Sequence, residues 1–216
     1  MRSLFPTWTP DPGRPRSPLT GRMEIAPPMA VLPIRITGDP VLHAPAAAVT
    51  EFDEDLKTLV ADMFETMDAA PGVGLAGPQV GVPLRLFVYG YEHAPEGPQR
   101  GVAINPTLWI TPTPVGEADE DAESEGCLSV PGERFPLRRS PRARLEAVDL
   151  DGKPFTLDAR GWFARIRQHE TDHLDGVLDV DRLDFLPPRR AKKAISGNRW
   201  GRPGNSWTPG VDDLEA

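Results

Sequence analysis

Two histidines and a glutamate in Gln168-His169-Glu170-Thr171-Asp172-His173 are spaced for chemistry. Residues four apart on a helix share a face, so His169 and His173 suit two ligands of one metal ion, with Glu170 beside them as a general base. The same residues also fit two packed histidines next to a solvated glutamate, and a catalytic metal needs a third protein ligand. The chain offers two. Asp179 stands where the continued pattern HExxHxxGxxD would place a ligand. Cys127, the one cysteine, lies upstream in Glu125-Gly126-Cys127-Leu128-Ser129, beside a glycine that lets the backbone approach a metal or substrate. A lone cysteine forms no intrachain disulfide, so its sulfur is either an apolar filler or chemically used.

A second signal is a decoy. Gly72-Val73-Gly74-Leu75-Ala76-Gly77 spells GxGxxG. A dinucleotide site needs a strand before those glycines and a helix N-terminus after them. Here a helical pattern precedes, and Pro78, Gly81 and Pro83 follow. The nucleotide reading fails on context. What remains is a Gly-rich turn whose backbone can lie close to another segment or a ligand.

The elements that must hold these residues follow from periodicity. Thr50-Glu51-Phe52-Asp53 reads as a capping-box start, and apolar residues at Phe52, Leu56, Leu59, Val60, Met63, Phe64 and Met67 predict a helix over about 50–69. Leu84–Tyr89 reads as a buried strand, and Val102–Ile110 as another, broken at Pro106. Ala143, Leu145 and Ala147 alternate, Asp151-Gly152 supplies a turn, and Phe155 and Leu157 alternate again, which predicts a hairpin. Gly161 to Leu174 returns to helical period and carries the histidines. Residues 117–125 hold six acids and read as a solvated loop, and Asp179 reads as a surface acid. The order helix, strands, hairpin, helix predicts an α+β fold with antiparallel sheets; if His169 and His173 hold a metal, these are antiparallel sheets around a central metal-binding HExxH helix.

Composition bounds the rest. Of 216 residues 26 are proline, about 12%, against a usual ~5%. Residues 1–30 hold seven of them with four arginines, and read as disordered or as an upstream extension. Residues 31–186 are the expected catalytic domain, and 187–216 a basic, then acidic, C-terminal tail. In that tail Trp200 and Trp207 are expected to dock it onto the domain. A net charge of −8 argues against a general nucleic-acid surface, and no specific DNA partner is expected. No apolar run is long enough to span a membrane and no export segment stands out, so a cytoplasmic protein is expected.

Three motifs now stand in order along the chain: Gly72-Val73-Gly74-Leu75-Ala76-Gly77-Pro78-Gln79, Glu125-Gly126-Cys127-Leu128-Ser129, and Gln168-His169-Glu170-Thr171-Asp172-His173. Together they resemble the motifs of peptide deformylases, and Ile34–Val41 resembles that family's opening stretch. One departure stands out, a glycine at Gly77 where the family usually has alanine. With Asp179 as third ligand the helix would instead resemble that of metzincin proteases, a reading with no use for Cys127.

The deformylase resemblance implies a hydrolase that removes the formyl group from the N-terminal formylmethionine of new peptides, releasing formate. It implies a metal held by Cys127, His169 and His173, with Fe²⁺ expected in the cell and Zn²⁺, Ni²⁺ or Co²⁺ also suited to a thiolate and two imidazoles. It makes Glu170 the general base and then acid, and Gln79 and the Leu128 N–H the oxyanion donors. The substrate would lie extended beside Val73, Gly74 and Gly126, its methionine near Val73, Trp162 and Ile166. Nascent peptides are the expected partners. The basic tail residues Arg189, Arg190, Lys192, Lys193 and Arg199 make a ribosome contact the functional reading of that segment, and a solvated tail the bland one.

Overall fold

The computed structural model describes residues 30–94, 97–183, 187–212 and 214–215. In chain order the elements are β1 (Ile34–Arg35), α1 (Glu54–Ala69), β2 (Gly74–Ala76), β3 (Leu86–Tyr91), β4 (Gln99–Ile110), β5 (Ser124–Gly126), β6 (Arg134–Pro136), β7 (Arg142–Val148), β8 (Pro154–Arg160), α2 (Gly161–Leu174), α3 (Pro187–Gly197) and β9 (Ser206–Trp207). Nearly all the sequence expected at residues 1–30 to be an extension, and residues 184–186 at the expected domain boundary, lie outside the described residues.

Strand pleating explains the core. Side chains alternate across β3, so Leu86 and Val88 join a cluster with Leu56, Val60, Met63 and Met67 of α1. Phe87 and Tyr89 join a second cluster with Phe163, Ala164 and Ile166 of α2. The antiparallel sheet β2-β3-β4-β7-β8 is thus packed between the two helices. Each fully buried large apolar side chain contributes roughly 1.5–3 kcal/mol relative to exposure. The hairpin β7-β8 buries Ala143, Leu145 and Ala147 and exposes Arg142, Arg144 and Glu146, the alternation its sequence predicts. The helix carrying the histidines spans the expected residues.

Several boundaries differ for local reasons. Helix α1 starts at Glu54, because Asp53 rather than Thr50 caps it by accepting from the Leu56 N–H at 3.0 Å. The break near Pro106 is a register shift between Ile104 and Thr107. It is stabilised by Asn105, whose φ is 51° and whose side-chain amide exchanges two hydrogen bonds of 2.8 Å with the Val49 backbone. The Gly-rich segment is more than a turn: β2 is an edge strand on β3, and Gly77–Val80 forms a short 3-10 turn. At Gly77 a β-carbon would stand 2.7 Å from the Leu84 carbonyl oxygen, so glycine suits the close chain approach found here.

Two acids are not where the sequence puts them. Asp119, Glu120 and Asp121 are exposed as expected, but Glu125 lies in β5 and is 4% exposed. Asp179, expected at the surface, is 2% exposed in a 3-10 turn. The last segment also has structure of its own. Helix α3 buries Ala191 against a cluster containing Cys127, Val130 and Phe135, and β9 pairs antiparallel with β1, setting Trp207 opposite Ile34. Trp207 is docked as its sequence context predicts, and Trp200 packs against the same cluster.

Candidate active site

One helix supplies most of the reactive side chains. Its period sets His169 and His173 one turn apart, with ring centroids 4.8 Å apart and Nε2 atoms 3.1 Å apart. Cys127, just after β5, brings its Sγ to 3.4 Å from His173 Nε2. The ligand atoms of Cys127, His169 and His173 all lie within 4.8 Å of one another, and Asp179 is not in that group. A soft sulfur and two imidazole nitrogens converging on one point fit a divalent transition metal.

Behind His169 stands Glu125. Its Oε1 accepts from His169 Nδ1 at 3.0 Å and forms an ion pair with Arg139 Nη2, while its Oε2 meets Arg165 Nη1 at 2.8 Å. Arg139 continues to Asp172, which also binds Arg182. Burial would raise the Glu125 carboxyl, but His169 and Arg139 outweigh it and hold it well below the usual range. The hydrogen bond to Nδ1 fixes the tautomer that leaves Nε2 free to bind a metal. Burial works against a charged His169 as well, yet Cys127 and Glu125 raise it well above its ordinary value. His173 is pushed well below by burial and by the neighbouring His169. Burial and the Asp179 carboxylate push the Cys127 thiol up to about 11.

Glu170 is buried, with Oε2 lacking a hydrogen-bond partner among the described residues, and burial raises it to about 7. A β-carbon at Gly74 would overlap its Oε1, so that glycine makes room for the carboxylate. Gln79 is oriented by its own strand end: Oε1 accepts from the Ala76 N–H at 2.9 Å. That turns Nε2 towards the sulfur, 4.0 Å from Cys127 Sγ and 3.3 Å from Ser129 Oγ.

A cleft of about 210 Å³ collects the candidate residues: Val73, Gly74, Gln79, Gly126, Cys127, Leu128, His169 and Glu170. Trp162 and Ile166 line it too. Among the described residues β2 pairs only with β3, and β5 only with β6. Each therefore keeps an unpaired edge. The carboxylate behind His169 was missed by sequence reasoning, which counted Glu125 among the solvated acids. The available signal was its parity: two residues before Cys127, it falls on the same strand face. Arg139 carried no comparable local signal.

An antiparallel α+β fold in which a Cys-His-His cluster adjoins a buried glutamate at a cleft has the make-up of a metallohydrolase. Comparison with known proteins gives the family. The model of the family described as polypeptide deformylase matches residues 31–188. The peptide deformylase of Mycobacteroides abscessus is 52% identical over 189 residues, covering 84% of this chain and 96% of the relative. That of Mycolicibacterium smegmatis is 53% identical over 191 residues, covering 84% and 96%. Among solved structures, the Synechococcus elongatus peptide deformylase in complex with actinonin matches with a TM-score of 0.68 and 35% identity, covering 78% of this chain and 86% of that one. The Legionella pneumophila peptide deformylase matches with 0.67 and 38%, covering 79% and 96%. The chain belongs to the peptide deformylase family, and is thereby a metal-dependent hydrolase. Among the described residues no helix is long and apolar enough to cross a membrane.

Proposed function

We propose that the protein removes the formyl group from the N-terminal formylmethionine of newly made peptides, with Cys127, His169 and His173 holding one divalent metal, Fe²⁺ in the cell. The observation that carries this reading is the convergence of Sγ and two Nε2 atoms beside the unpartnered carboxylate oxygen of Glu170. The metal, when bound, supplies an acidified water and polarises the formyl oxygen.

The chain's own residues do the rest. Glu170 takes the proton of the attacking water, since its raised value puts it near neutral pH, where proton transfer in both directions is efficient. It then passes that proton to the departing amine. The Gln79 side-chain amide, held by the Ala76 N–H, and the Leu128 backbone N–H donate to the oxyanion that forms on the formyl oxygen. Edges left open on β2 and β5 suit an extended peptide added beside Gly74 and Gly126, with the methionine among Val73, Trp162 and Ile166.

The experiment is formate release from formyl-Met-Ala-Ser by anaerobically prepared protein, with Cys127→Ser as control. Parent turnover, and joint loss of metal and activity in the control, are expected. Full metal occupancy in Cys127→Ser, with loss in Asp179→Ala, would transfer the reading to a metzincin-like protease using His169, His173 and Asp179.

The division into an extension over 1–30, a catalytic domain over 31–186 and a C-terminal segment over 187–216 belongs to the same proposal, as does a cytoplasmic location. Arg189, Arg190, Lys192 and Lys193 are exposed on α3, a face suited to ribosomal RNA near emerging chains. Co-sedimentation with ribosomes should weaken steeply with salt and fall when those four become Gln. Binding indifferent to both would assign α3 no such contact.

A further inference from the structure

The side-chain amide of Gln79 has one orientation open to it. The Ala76 N–H, 2.9 Å away, is a donor and must face the amide oxygen, which turns Nε2 the other way. Gln79 is buried, so water does not compete freely for either end. Nε2 carries two hydrogens, and an oxyanion served by this amide takes one of them. Among the described residues two acceptors lie in its reach, Cys127 Sγ at 4.0 Å and Ser129 Oγ at 3.3 Å. The contact to sulfur is long and leaves that hydrogen available. The hydroxyl holds the other.

Ser129 reaches Gln79 from a backbone fixed on both sides. Its own carbonyl accepts from the Thr37 N–H at 2.8 Å, and the carbonyl before it, that of Leu128, accepts from the Trp207 indole N–H at 2.8 Å. Thr37 follows β1 and Trp207 lies in β9, the two strands that pair across the chain ends. The Val130 N–H also donates to the Cys127 carbonyl at 2.8 Å, closing the turn in which Ser129 stands. Ser129 is 0% exposed. Burying a hydroxyl is unfavourable unless it is hydrogen-bonded, and the group it meets here is the amide of Gln79.

We propose that Ser129 is a positioning residue for the hydrolysis: its hydroxyl oxygen takes one hydrogen of the Gln79 amide, and so keeps the other aimed at the oxyanion. The inference rests on the assignment of Gln79 as an oxyanion donor above. Removing such a donor outright costs roughly 10²–10³ in turnover. Removing its support leaves the donor present but free to swing about its bond to Ala76. The expected loss is therefore smaller, about fivefold, the factor that one neutral hydrogen bond is worth.

The test uses the full chain with Ser129→Ala, made in the parent and in Gln79→Ala. The substitution removes one oxygen and leaves the backbone bonds to Thr37 and Trp207 in place, so the fold is kept. In the parent, kcat should fall about fivefold, with KM for formyl-Met-Ala-Ser and metal content unchanged. In Gln79→Ala the same substitution should change kcat by less than twofold, because a residue that acts only through Gln79 has nothing left to position. A kcat within twofold of the parent, a raised KM at unchanged kcat, a loss of metal, or an equal loss in both backgrounds would each overturn the proposal. Gln79→Ala alone tests the assignment beneath it. Full kcat there fails that assignment, whereas its loss beside an unaffected Ser129→Ala fails Ser129 alone.

Discussion

The polar group behind His169 and the one beside it are built in opposite ways. Glu125 has both carboxylate oxygens engaged, by His169, Arg139 and Arg165, and the chain of ion pairs runs on to Asp172 and Arg182. Glu170, the next residue along the helix from His169, has Oε2 with no partner among the described residues. Its neighbour one turn back, Arg167, is fully buried with its guanidinium 3.4 Å from the Tyr89 ring centroid and 4.2 Å from that of Phe163, and no hydrogen-bond partner there either. A ligand benefits from being held before the metal arrives, because a fixed tautomer and ring orientation raise its affinity. A proton carrier needs the reverse. An oxygen already committed to a protein donor would have to break that bond at each transfer.

Removing the free carboxylate tests the sharper half of that contrast. Glu170→Ala should retain the metal and lose turnover by at least ~10²-fold, because it deletes proton transfer and touches no ligand. Metal analysis beside formate release checks it. Near-parent turnover would leave Glu170 as a packing group for Gly74.

On the partnered side the effect should fall on affinity and stability. Glu125→Gln keeps a hydrogen-bond acceptor for His169 but removes the charge that faces Arg139 and Arg165. Loss of such a supporting group typically costs 10–100-fold in metal affinity. Breaking a buried ion pair from one side costs about 3–5 kcal/mol, since the remaining charges stay buried. Competition with a chelator and thermal unfolding measure the two. If affinity and stability both stay at parent values, the network is not what orients His169.

The same contrast explains what the sequence could and could not say. Helix α2 was legible because its apolar and ligand positions repeat at helical period within one short stretch, and the hairpin because alternation needs only near neighbours. The Cys127 and Gln79 motifs were legible through family resemblance, and their burial followed. Glu125 was not. It ends a run of acids, and its burial depends on Arg139, fourteen residues on, and Arg165, forty on. The strand β9 was hidden for the same reason: two residues pair with β1 across almost the whole chain, and nothing local marks them. Polar residues whose partners are distant in sequence read as solvated until the fold brings those partners in.

Asp179 extends the unpartnered side beyond the helix and gives the smallest expected effect. It is 2% exposed, its Oδ1 accepts from the Val180 N–H at 2.8 Å, and its Oδ2 has no partner among the described residues. Burial raises it from 3.8 to about 6. In the unfolded chain it ionises near its ordinary value, so between pH 4 and 6 the native state holds more protons than the unfolded one. Stability therefore falls as pH rises through that window and stays lower above it. The cost at neutral pH is of order 3 kcal/mol, taking 1.36 kcal/mol per unit. Asn at this position keeps an acceptor for Val180 and carries no charge. In metal-free protein, Asp179→Asn should raise the melting temperature by roughly 6–12 °C at pH 7.5, and by little at pH 4.5, where most of the native-state Asp179 is already neutral. An equal shift at both pH values would mean that the carboxylate is ionised and satisfied throughout. Metal stoichiometry in the loaded variant should match the parent, because the converging ligand atoms are those of Cys127, His169 and His173. A loss of metal there would place Asp179 on the partnered side, as a ligand, and would reverse the contrast at this residue.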